Sequence, residues 1–163
     1  MTIAVGDRLP DAQLLRFDPD EGPHSVPLSE FTAGRRMVLF GLPGAFTRTC
    51  TAAHVPSFIR TKDGFAAKGI DTIVCVAVND PFVMKAWAES TGAEAAGLHM
   101  LADGDGALAK AMGLDFSAPP VGFHGRFKRF AMIVDDGVVE ALDVEDSPGE
   151  CSISGGEALL EKA

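Results

Sequence analysis

Two short apolar runs constrain this chain most: Met37 to Leu42 (MVLFGL), closed by Pro43-Gly44, and Thr72 to Val78 (TIVCVAV), closed by Asn79-Asp80. Runs of this length without polar alternation read as strands buried on two faces, and such strands need a sheet covered by helices. Between them, about Thr49 to Lys68, apolar Ala53, Val55, Phe58, Ile59, Phe65 and Ala66 recur roughly at helical spacing, and Gly69 supplies the stop. The three segments form a βαβ unit. Pro56 sits too far into that helix to be a first-turn residue, so it predicts a lost backbone hydrogen bond and a bend.

Further elements follow the same logic. Asp80-Pro81 is a cap followed by a first-turn proline, opening a helix that carries Phe82, Val83, Met84, Ala86 and Trp87. A short helix is expected over Gly106 to Met112. Phe130 to Val134, the Asp136-Gly137 dipeptide and Val138 to Leu142 spell a β-hairpin, and Gly156 to Lys162 a terminal helix. This order gives an α/β three-layer α/β/α sandwich with a mixed central sheet, consistent with a thioredoxin-like topology but not unique to it. A chain of 163 residues with 47% hydrophobic content can bury one continuous core. Its glycines and prolines form no linker, so residues 1–163 are expected to be a single domain.

Charge narrows the function. Fourteen Lys and Arg against 23 Asp and Glu leave a net −9, which repels phosphate backbones and anionic lipid, so no nucleic-acid partner is expected. No segment approaches the roughly 18 apolar residues of a membrane span, and the N-terminus MTIAVGDRLPDAQLL lacks a basic start followed by a long apolar stretch. A soluble, cytoplasmic protein is the expectation. Cys50, Cys75 and Cys151 form no CxxC pair, which leaves catalytic or redox use, or burial.

Cys50 follows the strand and turn LFGLPGAFTRT and is expected at or in the first turn of the long helix. There, unpaired N–H groups and the helix dipole favour a thiolate, the nucleophilic form of sulfur. A further electrostatic bias comes from the strand Phe127 to Ile133, where alternation sets Arg129 on the same face as Phe127, Ala131 and Ile133. A guanidinium on an apolar face is costly unless an anion meets it, and the thiolate is a candidate anion. Arg129 would also hold substrate oxygens and offset charge developing on a leaving atom. Thr47, three residues before Cys50, can reach the sulfur or a substrate atom with its hydroxyl, and Pro43 would shield the sulfur from water. His54, one turn after Cys50, suggests a Cys-x3-His metal pair, but no further ligands cluster nearby and a packed histidine is the plainer reading. No metal is expected. Cys75 lies inside an apolar strand as a core residue, whereas Cys151 sits in the polar loop DSPGECSIS. Arg126 and Lys128 read as a solvated strand face, and Phe82 and Trp87 as core.

Pro43, Thr47 and Cys50 match the PxxxTxxC signature of the peroxiredoxins in register. PGAFTRTCTAAHVPSF, CVAVNDPFVMKAW, LHMLADGDGALAKAMGL and KRFAMIVDDGVVEALDVE resemble its peroxiredoxin 5 (type II) subfamily over nearly the whole chain. The resemblance implies a thioredoxin fold and a thiol peroxidase without cofactor. In its cycle Cys50 attacks hydrogen peroxide or an alkyl hydroperoxide, becomes a sulfenic acid and is recycled by glutaredoxin, glutathione or thioredoxin. It carries the family's arginine onto Arg129. It leaves open whether Cys151, less readily Cys75, or no internal thiol resolves the sulfenic acid. It further implies a homodimer using the active-site loops and the start of the Asp80-Pro81 helix. Arg48 departs from the second proline of many relatives. The alternative function is a peroxide sensor or holdase that uses the same cysteine.

Overall fold

The computed structural model describes residues 1–163. An antiparallel hairpin, β1 (Gln13–Asp18) and β2 (Gly22–Pro27), and a one-turn helix, α1 (Ser29–Thr32), precede the first apolar run, which forms β3 (Arg36–Gly41). A π-helical turn at Cys50–His54 leads into α2 (Val55–Ala66), and the second run forms β4 (Thr72–Ala77). Then come α3 (Pro81–Thr91), β5 (His99–Ala102), α4 (Ala107–Met112) and a small two-stranded sheet of β6 (Asp115–Ala118) and β7 (Phe123–Phe127). The chain closes with β8 (Phe130–Asp135), β9 (Val138–Val144) and α5 (Gly156–Leu160). The main sheet has seven strands in the order β2-β1-β5-β4-β3-β8-β9; β3, β4 and β5 run parallel, and the outer pairings are antiparallel.

Strand alternation divides the core. Val38, Phe40, Cys75, Ala131 and Ile133 join Phe58 and Phe65 of α2, Met84 and Trp87 of α3 and Leu159 of α5 on one face. Met37, Leu39, Val74, Val76 and Met132 join Phe31 of α1 and Leu108 and Met112 of α4 on the other. This is a thioredoxin-like fold, a mixed sheet between two helical layers.

The local chemistry is legible. Asp80 Oδ1 accepts the Val83 N–H at 2.8 Å and Pro81 occupies the first turn of α3. Asp136 and Gly137, at φ 48° and 84°, make the two-residue turn between β8 and β9, where both central residues must be left-handed.

Two expectations change. The irregularity expected at Pro56 is not a simple break: helical backbone runs from Arg48 to Ala66, Pro56 has no N–H to donate to the turn before it, and that turn, Cys50–His54, is π rather than α. Nor is Phe127 to Ile133 one strand. The chain leaves β7, crosses Lys128 and Arg129, and enters β8 in the other sheet. Alternation therefore does not carry across the break, and Phe127 packs on the face opposite Ala131 and Ile133.

Candidate active site

β3 ends beneath a loop, Pro43 to Thr49, that delivers Cys50 to the start of the π turn. The Cys50 carbonyl accepts the Val55 N–H five residues on, and the side chain is fully buried. From the break between β7 and β8, Arg129 reaches the same point: its Nη2 donates to Cys50 Sγ at 3.2 Å and to the Pro148 carbonyl at 3.0 Å. Arg129 is only 2% exposed, so this guanidinium and sulfur meet away from bulk water, where a charge-assisted hydrogen bond is strongest.

His54 completes the arrangement. Its Nε2 lies 3.0 Å from the Ser154 carbonyl, which can only accept, so Nε2 carries the proton and Nδ1 accepts Arg129 Nη1 at 3.0 Å. Burial, and then the Arg129 charge, push its pKa down to about 3, so the ring is neutral and acts as an acceptor for the guanidinium. Both ring nitrogens are engaged, and neither has a lone pair free for a metal. Three of the five N–H groups of Arg129 are used, and its buried Nε has no acceptor, so donor capacity remains for a peroxide oxygen.

The Pro43 loop leads into Cys50 and is held by Arg126 and Asn79. Pro43 is buried, and the Thr47 hydroxyl donates to the Gly44 carbonyl at 2.7 Å, which leaves its oxygen lone pairs able to accept a further hydrogen bond. Phe46, at φ 62°, holds a backbone conformation that bulky side chains avoid.

The segment after β9 closes the site. Gly149 O accepts the Thr49 hydroxyl at 3.0 Å, and the Glu145 carboxylate accepts four hydrogen bonds from the backbone and hydroxyl groups of Ser152 and Ser154. Burial raises the Glu145 pKa, but these bonds outweigh it and hold the carboxyl below its ordinary value. Cys151 stands in this tethered segment, half-buried, its thiol pushed up by burial against the pull of Arg129. Cys75 is fully buried in β4, and burial drives its thiol well up. A cavity of about 340 Å³ opens beside Arg129, between Phe116, Lys128 and the Val144–Pro148 turn.

Among residues read as bland, Trp87 is core but also donates from Nε1 to Thr51 Oγ1 at 3.0 Å, while Phe82 is 57% exposed against Phe17. Lys128 is exposed. Arg126 is not a solvated strand residue: its Nη1 donates to the Pro43 carbonyl at 2.9 Å. Alternation along β7 gave no sign of this, because the partner lies 83 residues away.

A redoxin family model matches residues 4–160. Peroxiredoxin-2E-2, chloroplastic, of Oryza sativa subsp. japonica is 48% identical over 98% of this chain and 72% of its own length. Reduced Prx3 from Vibrio vulnificus in complex with hydrogen peroxide superposes with a TM-score of 0.89 at 45% identity, covering 98% of both chains. Peroxiredoxin 5 from Alvinella pompejana has a TM-score of 0.85 at 32% identity, covering 98% of this chain and 97% of its own.

Proposed function

The chain belongs to the redoxin family as a peroxiredoxin, a thiol-dependent peroxidase of the type II kind, and on that premise we propose that Cys50 is its peroxide-reducing sulfur. The observation that carries this reading is the buried 3.2 Å contact from Arg129 Nη2 to Cys50 Sγ. The thiolate attacks the terminal oxygen of hydrogen peroxide or an alkyl hydroperoxide. An S–O bond forms as the O–O bond breaks, the sulfur is oxidised to a sulfenic acid, and the departing oxygen takes up a proton to leave as water or alcohol. Arg129 holds the thiolate and stabilises the charge on the leaving oxygen. Thr47 accepts a hydrogen bond from the peroxide O–H, and Pro43 keeps water from the sulfur.

Cys151 is the resolving thiol in this reading. Its thiolate displaces the sulfenic hydroxyl, which leaves as water, and a Cys50–Cys151 disulfide forms; thioredoxin, or glutaredoxin with glutathione, then returns both thiols. Support comes from the tethers of its segment, Gly149 to Thr49 and Pro148 to Arg129, which hold it over the site. Cys75, enclosed in β4, is poorly placed for exchange.

The molecule works as one domain and pairs as a homodimer through the exposed Phe46 and Phe82, 55% and 57% accessible. The cytoplasm is the proposed compartment, on the use of its cysteines as working thiols; no helix is long and apolar enough to cross a membrane. The test is peroxide consumption with each thiol donor. Cys50→Ser is expected to abolish turnover with an unchanged melting curve, and Cys151→Ser to abolish only the thioredoxin-fed cycle. Turnover retained by Cys50→Ser would overturn the assignment.

A further inference from the structure

Arg126 has no part in the chemistry above, yet it is built into the wall of the site. From β7 its Nη1 donates to the Pro43 carbonyl at 2.9 Å, and its guanidinium lies 5.0 Å from the centre of the Phe123 ring. The cation is spent on a neutral backbone oxygen. Opposite it is Gly44, where a Cβ would stand 2.4 Å from Arg126 Nη1. Gly44 does not have a left-handed φ, so its conformation does not demand glycine; a Cβ there would push the end of the Arg126 side chain away from the Pro43 carbonyl.

The next peptide is anchored from another side. The Ala45 N–H donates to Asn79 Oδ1 at 2.9 Å, and the Gly44 carbonyl between the two anchors accepts the Thr47 hydroxyl at 2.7 Å. With Phe46 at φ 62°, the loop includes a backbone conformation that its own sequence disfavours, so it depends on outside contacts to keep its shape.

We infer that Arg126 is a positioning residue for peroxide reduction: through the Pro43 carbonyl it fixes the Gly44 peptide and thereby the direction of the Thr47 hydroxyl, and Gly44 is glycine to admit it. This rests on the reading of Thr47 as a peroxide contact.

The test separates attack on peroxide from reactivity of the sulfur. The single tryptophan, Trp87, hydrogen-bonded to Thr51 beside Cys50, serves as the fluorescence reporter of oxidation in stopped flow. Arg126→Ala is expected to lower the second-order rate constant with hydrogen peroxide by roughly 10- to 100-fold, while iodoacetamide alkylation of Cys50 stays within about threefold of the parent. Arg126→Lys, which can still reach the Pro43 carbonyl, recovers most of the rate. Gly44→Ala displaces the same guanidinium, so the double variant is no slower than the slower single variant. A parent-like peroxide rate in Arg126→Ala, losses that multiply in the double variant, or a parallel fall in alkylation would each overturn the inference. If Arg126→Ala does not fold, a parent-like rate in Gly44→Ala overturns it instead. A parent-like rate in Thr47→Val would sink the underlying peroxide-contact reading, whereas a slow Thr47→Val beside a fast Arg126→Ala would sink only this one.

Discussion

A neutral histidine sealed between an arginine and a carbonyl makes stability depend on pH in a defined direction. The folded-state pKa of His54 is about 3 against an ordinary 6.5, so between these values the unfolded chain takes up a proton that the folded chain refuses. The contribution of His54 is fully present above pH 6.5 and is lost as pH falls through the window, with a limiting slope of about 1.4 kcal/mol per pH unit. His54→Gln keeps one donor and one acceptor but does not titrate, so urea unfolding between pH 6 and 4 is expected to show a flatter pH dependence than the parent. Equal slopes would mean that the ring is protonated in the fold. The sequence offered Pro43, Thr47 and Cys50 through a motif and Arg129 through the family resemblance, since the alternation also read for Arg129 fails at the β7–β8 break. It offered His54 as a packed histidine, as found, but not its role, because the partners that decide its tautomer, Arg129 and Ser154, lie 75 and 100 residues away.

At the scale of elements, the site depends on how α5 docks. Gly156 donates its N–H to Ser57 Oγ at 2.8 Å, and a Cβ there would stand 2.4 Å from both Ser57 O and Thr61 Oγ1 of α2. Gly156→Ala therefore forces the two helices apart, at about 1–3 kcal/mol. Because Ser154 O, two residues earlier, holds His54, the same change is expected to slow peroxide reduction as well as lower the melting temperature. A lower melting temperature with an unchanged peroxide rate would separate the terminal helix from the site. The buried strands, α3 with its Asp80-Pro81 start and the Asp136-Gly137 turn were legible because each carries a local signal. The β1–β2 hairpin was not: β2, GPHSVP, has two prolines and little apolar alternation, tolerated because it is an edge strand. The β7–β8 break was equally hidden, since nothing in Phe127 to Phe130 marks the change of sheet.

At the scale of the molecule, the main sheet and its small two-stranded neighbour bring together contributions from distant parts of the chain: the Pro43 loop after β3, Asn79 after β4, Arg126 in β7 of the small sheet, Arg129 before β8 and the tethered segment after β9. Order along the sheet makes this possible, because β3 lies between β4 and β8 and their neighbouring ends surround Cys50. Phe46 projects from the loop that follows β3, and Phe82 from the first turn of α3, the helix after β4. Sedimentation at micromolar concentration is expected to give a dimer, and Phe82→Asp a monomer; a parent chain that sediments as a monomer would remove the dimer from the account. The central claim is that Cys50 carries the oxidation, and intact-mass spectrometry with peptide mapping, after one equivalent of hydrogen peroxide without reductant, tests it most directly. The account predicts a loss of two hydrogens and a Cys50–Cys151 linkage, absent in Cys50→Ser; an unmodified Cys50 peptide in a chain that has consumed the peroxide would contradict it.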